Sequence, residues 1–344
     1  MEKPFNSSSL QKPVIGIIAN STSEANRHDL IAELGQPKKG FFNPLRFSFK
    51  ELKGEIIPLD IQPNDVLERE GMARAKAYMF KAVDYLVSRG VQVICFTAST
   101  KRLPGKFGQE VKKLYPNIIF SIGDNVTMIS YLTLLDYFLS KLDVESDQFA
   151  CLGAGFLGAN TMEHLLQNNC RHVSLVSEQQ LYALKSNVSV VKDIAELPNN
   201  IKLFMSCSHK YQLNAEVLTA KLAPQAIILD AAVPPGISYD VFKELPPGIR
   251  RFDVGDFFLE DIAYDFPAKI LNFPAVGFWF GCWTEAIMLA LAKLSGLDLK
   301  PYNFFEVNQT NRSILEPFLR QQKVAIPLIN FYNNGQGKIQ FFGF

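Results

Sequence analysis

The sequence predicts an α/β chain of two layered domains, and two observations carry that expectation. Short runs rich in β-branched residues alternate with stretches of helical period through residues 14–142. Farther on, Cys151-Leu152-Gly153-Ala154-Gly155-Phe156-Leu157-Gly158 follows an apolar strand and opens a helix, a Gly-x-Gly-x-x-Gly run in the setting its mechanism requires.

In the first stretch, Val14 to Ala19, Glu55 to Leu59, Val91 to Thr97 and Asn117 to Ile122 read as strands. Asn64 is placed to cap a helix running towards Arg89. Its apolar residues Val66, Met72, Ala75, Met79, Ala82, Val83 and Leu86 recur near 3.6 residues, and Gly90 ends it. A second helix starts at Asp124 and reaches about Leu142. The polar Asp143–Asp147 stretch then reads as a linker, so residues 1–143 form an N-terminal α/β domain that supplies substrate or catalytic groups.

From Gln148 the order is strand, glycine turn, helix (Leu157 to Asn168), and strands at His172 to Val176, Asn187 to Val191, Lys202 to Ser206 and Ala226 to Ala232. Pro234, Pro235 and Gly236 break the chain before a last strand at Ile249 to Val254. Residues 144–265 therefore read as a Rossmann-like dinucleotide-binding domain. The rest, 266–344, is a C-terminal segment whose helix over Ala286 to Leu294 returns to pack on the N-terminal domain. Ile326 to Phe344, split by Asn333-Asn334-Gly335-Gln336-Gly337, reads as a hairpin.

Composition narrows the function classes. The 344 residues are 48% hydrophobic and 20% charged, as in soluble globular proteins. Thirty-five basic and 34 acidic side chains leave a net charge of +1 without a long run of either sign, which argues against nucleic acid as a partner. Met1 to Lys12 lacks the apolar core of a signal peptide, and no apolar run is long enough for a transmembrane segment. A cytoplasmic protein is expected, with peripheral membrane contact left open. Five scattered cysteines, at 95, 151, 170, 207 and 282, form no Cys-x-x-Cys pair, so neither a disulfide framework nor a metal site is expected.

In the glycine run, Gly153 permits the tight turn, Gly155 lets the backbone approach a pyrophosphate, and Gly158 allows close helix packing. Phe156 and Leu157 open the helix whose unpaired N–H groups face negative charge. Ser177 and Glu178 follow the second strand, where an acid would meet the adenine ribose hydroxyls; Glu178 could equally be a solvated loop charge. Asp230 ends an apolar strand, where binding residues concentrate in open α/β sheets.

Cys282 lies where a Gly-punctuated apolar loop turns into a helix. Free N–H groups and the helix dipole there stabilise a thiolate, which makes Cys282 a candidate nucleophile; the plain alternative is a small packing residue. Glu285, three residues on, projects from the same face as a candidate catalytic group or as a capping carboxylate. His209, in the loop after a Rossmann strand, is a candidate proton donor or an exposed loop histidine. A thiol and a hydride donor together suggest reduction of an acyl group. The 28 phenylalanines, with Phe278-Trp279-Phe280 beside Cys282, suit either an acyl tunnel or ordinary core.

Several segments in order resemble the cyanobacterial long-chain acyl-(acyl carrier protein) reductases, which form fatty aldehydes. They are Ile15-Gly16-Ile17-Ile18 with Ser21 to Ala25, Phe96-Thr97, Ile122 to Asn125 with Thr127, the glycine run, Leu229-Asp230 with Pro234, and Phe280 to Ala286. The resemblance covers most of the chain and implies a layout like that of shikimate dehydrogenases and glutamyl-tRNA reductases. It also implies an acylated cysteine at Cys282, a long-chain acyl thioester as substrate, acyl carrier protein and an aldehyde-consuming enzyme as partners, and NADPH as cofactor, with NADH admitted by Glu178. The chain departs from the family pattern at Ser177-Glu178, Val126 and Thr133-Leu134. Two alternatives stand beside this reading: an alcohol or ketone dehydrogenase, and a non-catalytic dinucleotide-sensing protein.

Overall fold

The computed structural model describes residues 14–105, 108–178, 187–208, 213–233, 235–271, 273, 275–330 and 339–343. They fall into two compact units. One holds the described residues up to Thr127, Asp256–Ile326 and those from Phe342; the other holds Met128–Gly255 and the described residues between Pro327 and Phe341.

The first unit starts with β1 (Ile15–Asn20), α1 (Glu24–Leu34), β2 (Leu45–Phe49), β3 (Leu52–Leu59), α2 (Arg69–Ser88), β4 (Val93–Phe96), α3 (Gln109–Leu114) and β5 (Ile119–Ser121). Helix α4 (Asp124–Leu139) follows. The second unit carries β6 (Gln148–Leu152), α5 (Phe156–Gln167), β7 (His172–Val176), β8 (Val188–Val191), β9 (Ile201–Ser206), α6 (Ala215–Lys221), β10 (Leu222–Asp230), α7 (Tyr239–Glu244) and β11 (Arg250–Asp253). The chain then forms β12 (Asp256–Phe258), β13 (Ile262–Tyr264), β14 (Phe278–Phe280), α8 (Gly281–Leu294), α9 (Gln309–Gln321), β15 (Ala325–Leu328) and β16 (Gln340–Gly343). The proposed hairpin turn, Asn333 to Gly337, lies outside the described residues.

In the first unit the sheet runs β13-β2-β3-β1-β4-β5, with β3, β1, β4 and β5 parallel and β2 pairing antiparallel with both β3 and β13. Alternation along β4 divides its two faces. Ile94 and Phe96 join Met79, Val83 and Leu86 of α2 in one core, whereas Cys95 turns the other way and its thiol donates to the Cys282 carbonyl on α8 at 3.1 Å. Helix α2 starts later than Asn64 predicts. Asp65–Leu67 form a separate turn of 3-10 helix, Glu68 is extended, and Asp65 ties back to the Gln62 N–H at 2.7 Å. Gly71 permits the break, because a Cβ there would lie 2.3 Å from the Asp65 carbonyl oxygen.

The change of unit also departs from expectation. It falls at Thr127–Met128, inside α4, not in the Asp143–Asp147 linker. The first turn of α4 is tied to residues of the first unit, with Asn125 Nδ2 donating to the Glu306 carbonyl at 3.0 Å. Its last turn serves the second unit, where Phe138 stacks on Phe252 at 5.3 Å between centroids. Residues 256–265 belong with the first unit, since β13 pairs with β2.

The second unit is one fully parallel sheet in the order β11-β10-β9-β6-β7-β8. Counted from β6 this is 6-5-4-1-2-3, the Rossmann order, with its switch point between β6 and β9. Arg251, wholly buried, donates to Asp230 at 2.9 Å and to Asp253 at 2.8 Å. Asp230 also accepts from the N–H groups of Ala232, Gly236 and Ile237 at 3.0–3.2 Å, so its carboxylate shapes the loop after β10. Replacing Asp230 by Ala leaves a buried guanidinium short of its counter-charge and should cost about 3 kcal/mol of unfolding free energy. Urea titration followed by circular dichroism measures this, and an unmoved midpoint would contradict the assigned role.

Candidate functional site

The glycine run in the second unit meets the demands of a pyrophosphate-binding turn residue by residue. Gly153 has φ +95, open to glycine alone, and a Cβ there would press on the Ser208 Cβ at 2.7 Å. A Cβ at Gly158 would sit 1.9 Å from the Gly153 carbonyl oxygen, so α5 can approach the turn only without one. Gly155 differs from both. Its φ of −68 suits any residue and a Cβ would meet nothing within 4 Å, so the chain itself makes no demand for glycine there. Its exposed backbone, followed by exposed Phe156 and partly exposed Leu157, opens the N-terminus of α5. Ser177 is buried, its N–H held by Val191 O at 2.9 Å, and Glu178 is exposed at the end of β7. His209 lies outside the described residues.

Cys282, in the first unit, occupies the first turn of α8 as expected, but its thiol is not activated. Burial pushes its pKa up from 9.0 to about 12; Lys101 pulls the other way, while Asp124, Asp256 and Glu285 add to the rise. That shift corresponds to about 4 kcal/mol against the thiolate. A helix N-terminus offers roughly 0.3–1 kcal/mol, so burial wins and the resting group is a thiol.

Two chain segments converge on it. After β4, Thr97 and Thr100 cap each other at the start of a 3-10 helix (Ala98–Arg102), with Ala98 held at φ +49. Trp283 Nε1 donates to Thr97 Oγ1 at 3.3 Å. The turn brings Lys101 to an ion pair with Asp124, the first residue of α4; both are largely buried, with 27% and 6% of their side-chain surface exposed. Against burial, which favours the neutral amine, Asp124 holds the Lys101 pKa above its ordinary value. After β5, Gly123 at φ +77 lies so close that a Cβ on it would come 2.2 Å from the Cys282 Cβ and 2.4 Å from its Cα.

Glu285 is wholly buried, not a surface group, and it caps the first turn of α4 rather than its own helix. Its carboxylate accepts from Ser121 Oγ and Tyr302 OH, each at 2.5 Å, and from the Val126 N–H at 2.8 Å. Sequence reasoning passed over Lys101, Asp124, Ser121 and Tyr302. The first two could have been found, since each follows closely on an apolar strand that points to the carboxyl edge of a parallel sheet. The aromatic run packs on itself, with Phe273, Phe280 and Trp283 in mutual contact at centroid distances of 4.6–6.4 Å.

No protein-family model and no curated protein matches the chain. Solved structures similar to it include L-tryptophan dehydrogenase from Nostoc punctiforme, at 14% identity over 89% of this chain and 88% of that one, with a TM-score of 0.40. Shikimate 5-dehydrogenase from Thermus thermophilus, solved with shikimate, matches at 15% identity over 88% and 99%, with a TM-score of 0.38. NAD-dependent malic enzyme from Thermotoga maritima matches at 13% over 70% of this chain, with a TM-score of 0.36; the chain spans 66% of its length. Among the described residues no helix is long and apolar enough to cross a membrane, and no three or more His, Cys, Asp or Glu side chains are grouped so as to hold a metal ion.

Two outcomes follow from this geometry. Gly155→Val should fold as the wild type does yet lose at least roughly tenfold in NADPH affinity, because its side chain fills the space a pyrophosphate needs. Calorimetric titration checks this, and unchanged affinity would place the nucleotide elsewhere. Iodoacetamide should alkylate Cys282 slowly at pH 7–8 and faster up to about pH 11, since the thiolate is scarce below a pKa of about 12. Lys101→Met should slow it further, and a plateau near neutral pH would refute the raised value.

Proposed function

We propose that the chain is an NAD(P)H-dependent oxidoreductase that reduces a long-chain acyl thioester to an aldehyde through an acyl group carried on Cys282. The observation that carries this reading is the placement of Cys282, a partly exposed residue, at the start of α8, beside the Lys101 ammonium and backed by the Gly123 turn. The resemblance to acyl-(acyl carrier protein) reductases supports it, and the glycine turn fits a dinucleotide, with Gly153, Gly155 and Gly158 cradling a pyrophosphate at the start of α5. A nicotinamide cofactor, when bound, supplies the hydride.

Cys282 attacks the thioester carbon as it sheds its proton, and the departing thiolate takes up a proton, so the acyl transfer is neutral overall. Lys101 stabilises negative charge as it forms on sulfur and on the carbonyl oxygen, at a point where Asp124 keeps it charged. After hydride delivery the aldehyde leaves and the Cys282 thiolate regains a proton. Burial disfavours the thiolate, which makes it a strong nucleophile once formed and drives its reprotonation. Acyl carrier protein or coenzyme A as carrier, an aldehyde-consuming enzyme as partner and a cytoplasmic setting belong to the same proposal.

One observation favours a second reading. The Lys101–Asp124 pair beside a protonated thiol also suits an alcohol or ketone dehydrogenase, with Lys101 giving a proton to the carbonyl oxygen and Cys282 as a bystander. Cys282→Ser separates them. Under the thioester reading it should lower NADPH oxidation with hexadecanoyl-coenzyme A by roughly a thousandfold or more and abolish the acyl adduct seen by mass spectrometry, with NADPH affinity kept. Activity preserved in the serine variant would leave the dehydrogenase reading in its place.

A further inference from the structure

The largest investment of buried polar groups near Cys282 is at Glu285, which the reaction above does not use. Its carboxylate has no exposed surface and three donors. Two of them bracket the 122–125 turn: Ser121 stands before it and Val126 after it. Ser121 Oγ in addition accepts the Gly123 N–H at 2.9 Å, so the glycine is tied to Glu285 through one hydroxyl. Tyr302 completes the set from the segment between α8 and α9. The turn so held is the one that lies against Cys282 and begins α4 with Asp124.

We propose that Glu285 is the positioning residue of this site: by gripping Ser121 on one side of the turn and Val126 on the other, it seats Gly123 on Cys282 and presents Asp124 to Lys101. Glu285 and Cys282 share the first turns of α8, so the turn is referenced to the helix that carries the thiol. A shift of the turn would move Gly123 into or away from Cys282 and swing Asp124 off Lys101, and near the reacting atoms a displacement of about 1 Å can cost roughly a hundredfold in rate. The charged or ionisable groups that bear on Cys282 are Lys101 after β4, Cys95 on β4, Asp124 on α4, Asp256 on β12 and Glu285 on its own helix. Glu285 therefore acts on Cys282 twice, through the turn and through its charge.

This rests on Cys282 being the reacting group, and the test keeps the two claims apart. Glu285→Gln and Tyr302→Phe are compared with the wild-type full chain in two measurements. The first is the pH profile of Cys282 alkylation by iodoacetamide, read on the Cys282 peptide. The second is kcat and KM for hexadecanoyl-coenzyme A reduction with NADPH. Glu285→Gln removes the weakest of the carboxylates that hold the Cys282 pKa up, so alkylation at pH 8 should rise by about twofold. In the same variant kcat should fall by roughly tenfold or more while KM stays within about twofold, because the loosened turn no longer holds Asp124 and Lys101 in place. Tyr302→Phe, which keeps the ring and loses one donor, should lower kcat in the same way by a smaller factor, and decides the matter alone if the glutamine variant does not fold. An alkylation profile and kcat that coincide with wild type in the folded variants overturn the proposal, as does a change confined to KM. If the wild type reduces no acyl thioester, the reductase reading falls, and the alkylation profile of Glu285→Gln still decides the role of Glu285.

Discussion

The contact of Gly123 with Cys282 constrains the rest of the first unit. The backbone of the turn after β5 lies on the Cα and Cβ of the helix residue, with no room for a methyl group between them. Contact this close requires glycine, and the positive φ at Gly123 requires it again. Seating a turn on a helix in this way fixes α8 against the carboxyl ends of the parallel strands it covers, β1, β4 and β5. It also sets where α4 begins, and therefore where Asp124 stands. The buried carboxylate of Glu285, the thiol of Cys95 and the indole N–H of Trp283 then tie the same helix to three neighbouring segments by directional bonds.

Both units place their chemistry at the same topological location. In each, parallel strands lead out in opposite directions from a central strand, and the loops at their carboxyl ends open a crevice there. The second unit fills it with a glycine turn and a helix N-terminus, which suits an anion. The first fills it with a lysine, an aspartate and a thiol. The electrostatics differ accordingly. The glycine turn offers backbone N–H groups and small residues, whereas the first unit holds a largely buried ion pair, so charge there acts at short range with reduced screening.

Burial decides the state of the thiol. Helix position alone argued for an activated cysteine, and it was the wrong quantity to weigh: removing a thiolate from water costs several times what a helix terminus returns. Lys101 offsets part of that cost, and three carboxylates work against it. The result is a group that stays protonated until something draws the proton away.

Much of the fold was legible in the sequence because its signals are local. The strand–Gly-x-Gly-x-x-Gly–helix run announced the second unit, as each glycine answers a steric need within a few residues of itself. The alternation of strands and helices announced the first, and Cys282 stood out by its place at a helix start. What the sequence left undetermined depends on distance. Asn64 reads as a cap, yet Gly71 and Asp65 break the chain there by a contact visible only when folded. The polar linker reads as a boundary, yet the two compact units meet inside α4, whose first turn is bonded to residues more than 150 positions away. Glu285 looked like a neighbour of Cys282 and proved to be a clamp on Ser121, Val126 and Tyr302. Lys101 carried no motif and Asp124 was read only as a helix start in a resembling segment; they became a pair because β4 and β5 are adjacent in the sheet. Sequence thus determined the elements and the residue types that chemistry could use, and tertiary structure alone decided which of them met, since burial, pairing and protonation are properties of neighbours brought together across the chain.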